Sequence, residues 1–160
     1  MSKALVYGDN INTDLVIAGK YTKTLNFNDL VLHCMEDLDP EFGKKLEQGD
    51  ILVAGDNFGC GSSREQAPIA LKYSGVGAIL AKSFARIFYR NAINVGMPVL
   101  VCDTERIHDG DRLEVDMDNG RVIINGKEEI SCQALSPIMQ SILEKGGLVE
   151  FLKEKGDFVL

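Results

Sequence analysis

Short, nearly unbroken apolar runs alternate along this chain with longer segments in which apolar positions recur every three or four residues. Ala4-Leu-Val-Tyr7, Ile51-Leu-Val-Ala54, Gly77-Ala-Ile-Leu-Ala81 and Met97-Pro-Val-Leu-Val-Cys102 therefore read as buried strands. Helices are predicted between them. One runs from Asn28 to Met35, and a short one opens at Asp39-Pro40-Glu41 and ends near Gly49. Another spans about Arg64 to Tyr73 with Gly75 at its C′ position, and a fourth is capped by Ser83 and runs through Phe84, Ile87, Phe88 and Ile93 towards Gly96. Strand, helix, strand, helix, strand at this spacing argues for parallel crossovers and an α/β core, with ligands at the carboxyl ends of the strands. From Asp111 the period shortens. Arg112 to Asp116, Arg121 to Ile124 and Glu128 to Ser131 alternate, with Asp118-Asn-Gly120 and Asn125-Gly126 as hairpin turns, so a small antiparallel section follows. Ser136-Pro137 then opens a helix that closes at Gly146-Gly147, and Leu148 to Lys155 makes a last one. No repeat, low-complexity tract or linker interrupts residues 1–160, which read as a single α/β domain with a mostly parallel central sheet.

Composition narrows the partners. Apolar residues at 45% and charged residues at 26% suit a soluble globular protein. A net charge of −7 without a basic run disfavours nucleic acid and anionic membranes, so an anionic substrate would be held by a few local cations. No apolar segment approaches bilayer length and the first residues lack a signal-peptide core, which points to the cytoplasm. Cys34, Cys60, Cys102 and Cys132 are scattered without paired spacing, so neither a disulfide framework nor a metal site is expected. Cys34, Cys102 and Cys132 read as structural thiols. Cys60 lies in a glycine turn, where a helix N-terminus and Arg64 favour a thiolate, but no His is placed by sequence to act as its base.

The candidate chemistry sits in that turn, Gly55 to Pro68. Gly55, Gly59 and Gly61 permit positive φ and close backbone approach just after a strand. Ser62 with Glu65, or Ser63 with Gln66, has capping-box spacing, so either serine can cap the helix and leave the other for chemistry. The helix start and the planar guanidinium of Arg64 together favour a bound carboxylate. The turn lacks a P-loop lysine and its spacing is not that of a dinucleotide fingerprint. In the polar turn Gly8 to Asp14, Asp9, Asn10 and Asn12 suit local backbone bonding, and Asp14 is the site candidate. His33 has no ligand companion at i+4 and reads as a packing residue. Arg86 and Arg90 share a helix face and can extend the positive surface, meet a partner, or remain merely solvated.

The motifs Gly59-Cys-Gly-Ser-Ser-Arg-Glu-Gln-Ala-Pro68, Gly8-Asp-Asn-Ile-Asn-Thr-Asp14 and Lys82-Ser-Phe-Ala-Arg-Ile87, in this order, resemble the small subunits of isopropylmalate dehydratase. That family is similar to the swivelling domain of aconitase, and the resemblance covers essentially the whole chain. It implies a swivelling β/β/α domain that works with a large iron–sulfur subunit to interconvert 2- and 3-isopropylmalate through isopropylmaleate in leucine biosynthesis. It further implies Ser62 as the catalytic base, Arg64 as a carboxylate binder, Ser63 with backbone N–H groups completing the anion site, and Asp14 beside it. The [4Fe–4S] cluster is then expected in the large subunit, and this chain alone is expected to be inactive. Residues 16–24 are similar to a substrate-selecting loop, in which apolar residues suit an isopropyl group and Arg an extra carboxylate. Tyr21-Thr-Lys-Thr24 matches neither pattern, and Lys23 can pair with a distal carboxylate. The substrate is thus a small hydroxy di- or tricarboxylate, with homoaconitase, citramalate and dimethylmalate dehydratase subunits as alternatives. A non-catalytic carboxylate-binding module, in which Ser62 only caps a helix, is the alternative of another class. Self-association of the isolated chain is left open.

Overall fold

The computed structural model describes residues 1–21 and 26–155. Four parallel strands, β1 (Ser2–Val6), β2 (Ile51–Val53), β3 (Ala78–Ala81) and β4 (Val99–Val101), form one half of the sheet. β5 (Arg112–Asp116), β6 (Arg121–Ile124) and β7 (Glu128–Ser131) form an antiparallel half. β1 joins the halves, pairing parallel with β2 at Ala4 and Ile51 and antiparallel with β5 at Ser2 and Leu113. The result is a seven-stranded sheet in the order β4-β3-β2-β1-β5-β6-β7. Every residue of β2 and β3 is buried, as unbroken apolar runs covered on both faces must be. Among the described residues no helix is long and apolar enough to cross a membrane.

The outermost strands meet again. Just beyond β4 and β7, Cys102 and Cys132 form an antiparallel bridge, and the Gln133 N–H donates to the Val101 carbonyl at 2.7 Å, so the sheet curls back on itself. All four cysteines are free thiols. Burial pushes the Cys34 thiol up to about 12, and the Cys132 thiol together with burial raises that of Cys102. These are packing groups.

The helices are α1 (Thr13–Val16), α2 (Phe27–His33), α3 (Phe42–Lys45), α4 (Gln66–Ser74), α5 (Arg86–Val95), α6 (Pro137–Glu144) and α7 (Leu148–Lys155). α1 stands where the sequence suggested only a polar turn: Asn12 caps it, its Oδ1 accepting from the Leu15 N–H at 2.9 Å. The α3 start also differs, since Glu41 rather than Asp39 precedes it. Asp39 still caps locally, its Oδ1 accepting from the Glu41 N–H at 3.0 Å, while its Oδ2 accepts from Tyr7 Oη at 2.7 Å and Lys45 Nζ at 2.9 Å. The Lys45 hydrogen bond and that of Tyr7 hold the Asp39 carboxyl below its usual range, whereas burial and this carboxylate raise the Tyr7 phenol.

Candidate active site

Two loops carry the sequence motifs, and they lie side by side because the strands before them are parallel neighbours. The Asn10 N–H donates to the Asp56 carbonyl at 2.8 Å, the Asp56 N–H to Asp9 Oδ1 at 2.8 Å, and the Gly59 N–H to the Ile11 carbonyl at 2.8 Å. Further along, the Thr13 N–H reaches the Cys60 carbonyl at 2.9 Å and Thr13 Oγ1 donates to the Ser62 carbonyl at 2.8 Å. On its other flank the glycine turn pairs with the segment after β3. The Phe58 N–H donates to the Ser83 carbonyl at 3.0 Å, the Ala85 N–H to the Phe58 carbonyl at 2.9 Å, and the Asn57 N–H to Ser83 Oγ at 2.7 Å. The turn is therefore a third extended segment held between two others at the carboxyl ends of β1, β2 and β3.

Neither Ser62 nor Ser63 caps a helix. α4 begins at Gln66, behind Glu65, whose side chain makes no cap hydrogen bond. Pro68 supplies the reason. A cap at Ser62 or Ser63 would put Pro68 inside the helix, where it lacks an N–H and its ring meets the Arg64 carbonyl, at a cost of about 3 kcal/mol. With the start at Gln66, Pro68 falls in the first turn, where the missing donor is harmless. Both serine hydroxyls are exposed and have no hydrogen-bond partner among the described residues. Ser83 does not cap α5 either, because it is spent on Asn57 and Asp56. α5 starts at Arg86 behind Ala85, with no side-chain cap.

A cavity of about 250 Å³ brings these pieces together. Thr13, Gly59, Gly61, Ser62, Ser63 and Arg64 line one side, and Ala85, Arg86, Ile87, Phe88 and Asn91 line the other. The helix end that opens on the cavity is thus that of α5, not α4 as the sequence suggested. Its first-turn N–H groups have no intrahelical acceptor and carry the positive end of the helix dipole. Asp14, 60% exposed, pairs with Arg64 Nη2 at 2.9 Å. Arg64 Nη1 is buried and has no hydrogen-bond partner among the described residues. An orphaned donor of this kind costs about 1–3 kcal/mol, which an arriving carboxylate would relieve. Gly19 lies against the same guanidinium: a Cβ there would come within 2.8 Å of Nη1.

Ser62, Ser63 and Arg64 therefore share one cavity, and Asp14 joins them through its ion pair with Arg64. Lys23 lies outside the described residues. His33 stays apart, stacked on Tyr21 at 3.9 Å and bonded to Glu36 at 2.8 Å. Cys60 serves the strand pairing through its backbone and does not line the cavity. The cavity also takes in Thr13, Arg86 and Asn91, which carry no site motif in the sequence. The Arg86–Arg90 spacing is a signal for Arg86 alone; no pattern in the sequence marks Thr13 or Asn91. Among the described residues no three Cys, His, Asp or Glu side chains converge on a point, and the thiols of Cys34 and of Cys102 with Cys132 belong to packing elsewhere. This donor set does not fit an iron–sulfur cluster.

The turn's shape depends on Gly59, whose φ is +84° and whose missing Cβ leaves room for the Phe88 ring. Phe58 is fully buried and edge-on to both Phe84, at 6.0 Å, and Phe88, at 5.2 Å, which locks the turn to α5. Gly59→Ala is expected to destabilise the fold by about 2–5 kcal/mol, combining about 1–2 for left-handed backbone with about 1–3 for forced repacking. Gly110→Ala is the control, having φ +89° but open space, and should lose only the backbone part. Denaturant unfolding of the two variants measures the difference, and equal losses would show that Phe88 simply yields.

The arrangement matches a known class. Residues 7–105 match the aconitase C-terminal domain, and the chain belongs to that family. Similar proteins within it include 3-isopropylmalate dehydratase and homoaconitase small subunits. The chain is 53% identical over 155 residues to the 3-isopropylmalate dehydratase small subunit of Caldicellulosiruptor bescii, covering 94% of this chain and 93% of that protein. It is 49% identical over 154 residues to the methanogen homoaconitase small subunit of Methanocaldococcus jannaschii, covering 96% and 91%. The crystal structure of 3-isopropylmalate dehydratase (leuD) from the same organism aligns with a TM-score of 0.93 at 47% identity, over 98% of this chain and 95% of that one.

Proposed function

We propose that this chain is the small subunit of a cytoplasmic hydro-lyase that interconverts 2- and 3-isopropylmalate through isopropylmaleate in leucine biosynthesis. The observation that carries this reading is the meeting of an unpartnered serine hydroxyl, Ser62, with a half-committed guanidinium, Arg64, on one cavity wall. Dehydration removes a weakly acidic C–H proton next to a carboxylate. The Ser62 alkoxide takes that proton: the C–H bond breaks, the Ser62 O–H bond forms, and the released electron pair expels the hydroxyl group from the neighbouring carbon. Arg64 and the first-turn N–H groups of α5 stabilise the alkoxide and bind the substrate carboxylate, with Ser63 completing the anion site. Asp14 fixes the plane of the guanidinium through Nη2. Lys23 would meet a distal group of the substrate.

The departing hydroxyl needs an acid, and these residues do not provide one. The large subunit, which carries the iron–sulfur cluster, supplies it in this reading. One specific observation favours a second substrate, since a relative of comparable similarity is named a homoaconitase subunit. Turnover of isopropylmalate, homoaconitate, citramalate and dimethylmalate by this chain mixed anaerobically with its large subunit decides between them. Isopropylmalate is expected to turn over, and the chain alone is expected to turn over none. Activity on homoaconitate alone would move the assignment to the second substrate. Inactivity on all four, with cluster and complex intact, would reduce the chain to a carboxylate-binding module.

A further inference from the structure

We propose that the outer face of α5 and the groove between α5 and α6 form the surface on which the large subunit docks, and that the docking face of that subunit is acidic with an apolar insert. The docking surface depends on the function proposed above and places the meeting of the two chains. The Ser62 cavity is open, and the acid that must reach the departing hydroxyl is not among its residues, so the partner has to descend on the cavity rim. On the α5 side that rim carries Arg86 and Ile87, and Ile87 is 52% exposed. Arg86 also lines a groove of about 360 Å³ between α5 and α6, walled by Ile93, Met139 and Ile142 and edged by Ile138 at 55% exposure. Cavity and groove are thus continuous through one side chain, and two of the large exposed apolar residues stand along them.

The charge on this face runs against that of the chain. Net charge is −7, yet Arg86 and Arg90 stand one helical turn apart, exposed and without an ion-pair partner among the described residues. The uncapped start of α5 adds to the positive field. Partner carboxylates would complement it and steer encounter. A second copy of this chain fits less well, because a two-fold contact on this patch sets the arginines of one copy against those of the other.

The test titrates cluster-loaded large subunit with the wild-type chain and with Ile138→Asp and Arg90→Glu, both outside the Ser62 cavity, reading Kd by calorimetry and kcat at saturating large subunit. Each variant should weaken Kd roughly tenfold or more. Each should keep kcat within about twofold of wild type, while Leu32→Asp, 72% exposed on α2, should bind as wild type. Unchanged Kd for both variants would overturn the docking surface. So would an isolated chain that is dimeric and becomes monomeric in the variants with Kd unaltered, which would make this face a self-association surface. Wild-type complexes that assemble but turn over no substrate would sink the proposed reaction and leave the surface standing. If the wild type does not assemble at all, both fall.

Discussion

Ser62→Ala in the assembled enzyme is expected to lower kcat by about a hundredfold to ten-thousandfold, the range for loss of a positioned proton-transfer group. Substrate affinity should change by no more than about twofold, because the hydroxyl makes no hydrogen bond that holds other residues of the site. For the same reason the melting temperature should not move. Rapid-mix kinetics with a competitive dicarboxylate inhibitor as affinity probe separates the two quantities. Turnover equal to wild type would remove Ser62 as the base, and a parallel loss of affinity and kcat would make it a binding group instead.

Arg64→Ala has the second largest expected effect. In the assembled enzyme Arg64 would pair with a substrate carboxylate enclosed between the two subunits, and truncating one partner of such an enclosed charge pair costs about 2–5 kcal/mol, so kcat/KM should fall between about thirtyfold and several thousandfold. Arg64→Lys should rescue little, since a single ammonium cannot hold Asp14 and a substrate carboxylate in one planar fork. Asp14→Asn discriminates the causes. It leaves the guanidinium in place, and a milder loss than in Arg64→Ala is expected if the arginine acts on the substrate. An equal loss would mean that Arg64 matters only as the partner of Asp14.

Most of the sheet is legible in the sequence because both of its halves obey simple periods. The buried runs before Gly55, Lys82 and Cys102 have no polar position to give them an exposed face, and the hairpin glycines Gly120 and Gly126 adopt the positive φ that their turns need. Of the candidate site residues read from the sequence, Ser62, Ser63 and Arg64 share a cavity and Asp14 pairs with Arg64, while Lys23 lies outside the described residues. The electrostatics of the site are not legible. Capping-box spacing at Ser62 and Ser63 competes with Pro68, and the proline prevails because its clash with the Arg64 carbonyl outweighs about 1 kcal/mol of capping. The α5 end reaches the cavity only because Phe58 draws Phe84 and Phe88 to the turn, a contact between segments that no local pattern encodes. Thr13 was hidden for a related reason: its hydrogen bond to the Ser62 carbonyl exists only once β1 and β2 have paired.

An open seven-stranded sheet leaves two rims of unpaired backbone groups, here along β4 and β7, each a template for edge-to-edge aggregation. The bridge of Cys102 to Cys132 and the hydrogen bond from Gln133 to Val101 occupy part of both rims at once. A β7 terminus thereby shields the opposite margin of the same sheet. During synthesis the parallel half emerges first, with the β4 margin bare until the last strand folds over it. The interval between those events is when a nascent chain is most exposed to wrong pairing, and it ends with residues 132 and 133 rather than with completion of the active site.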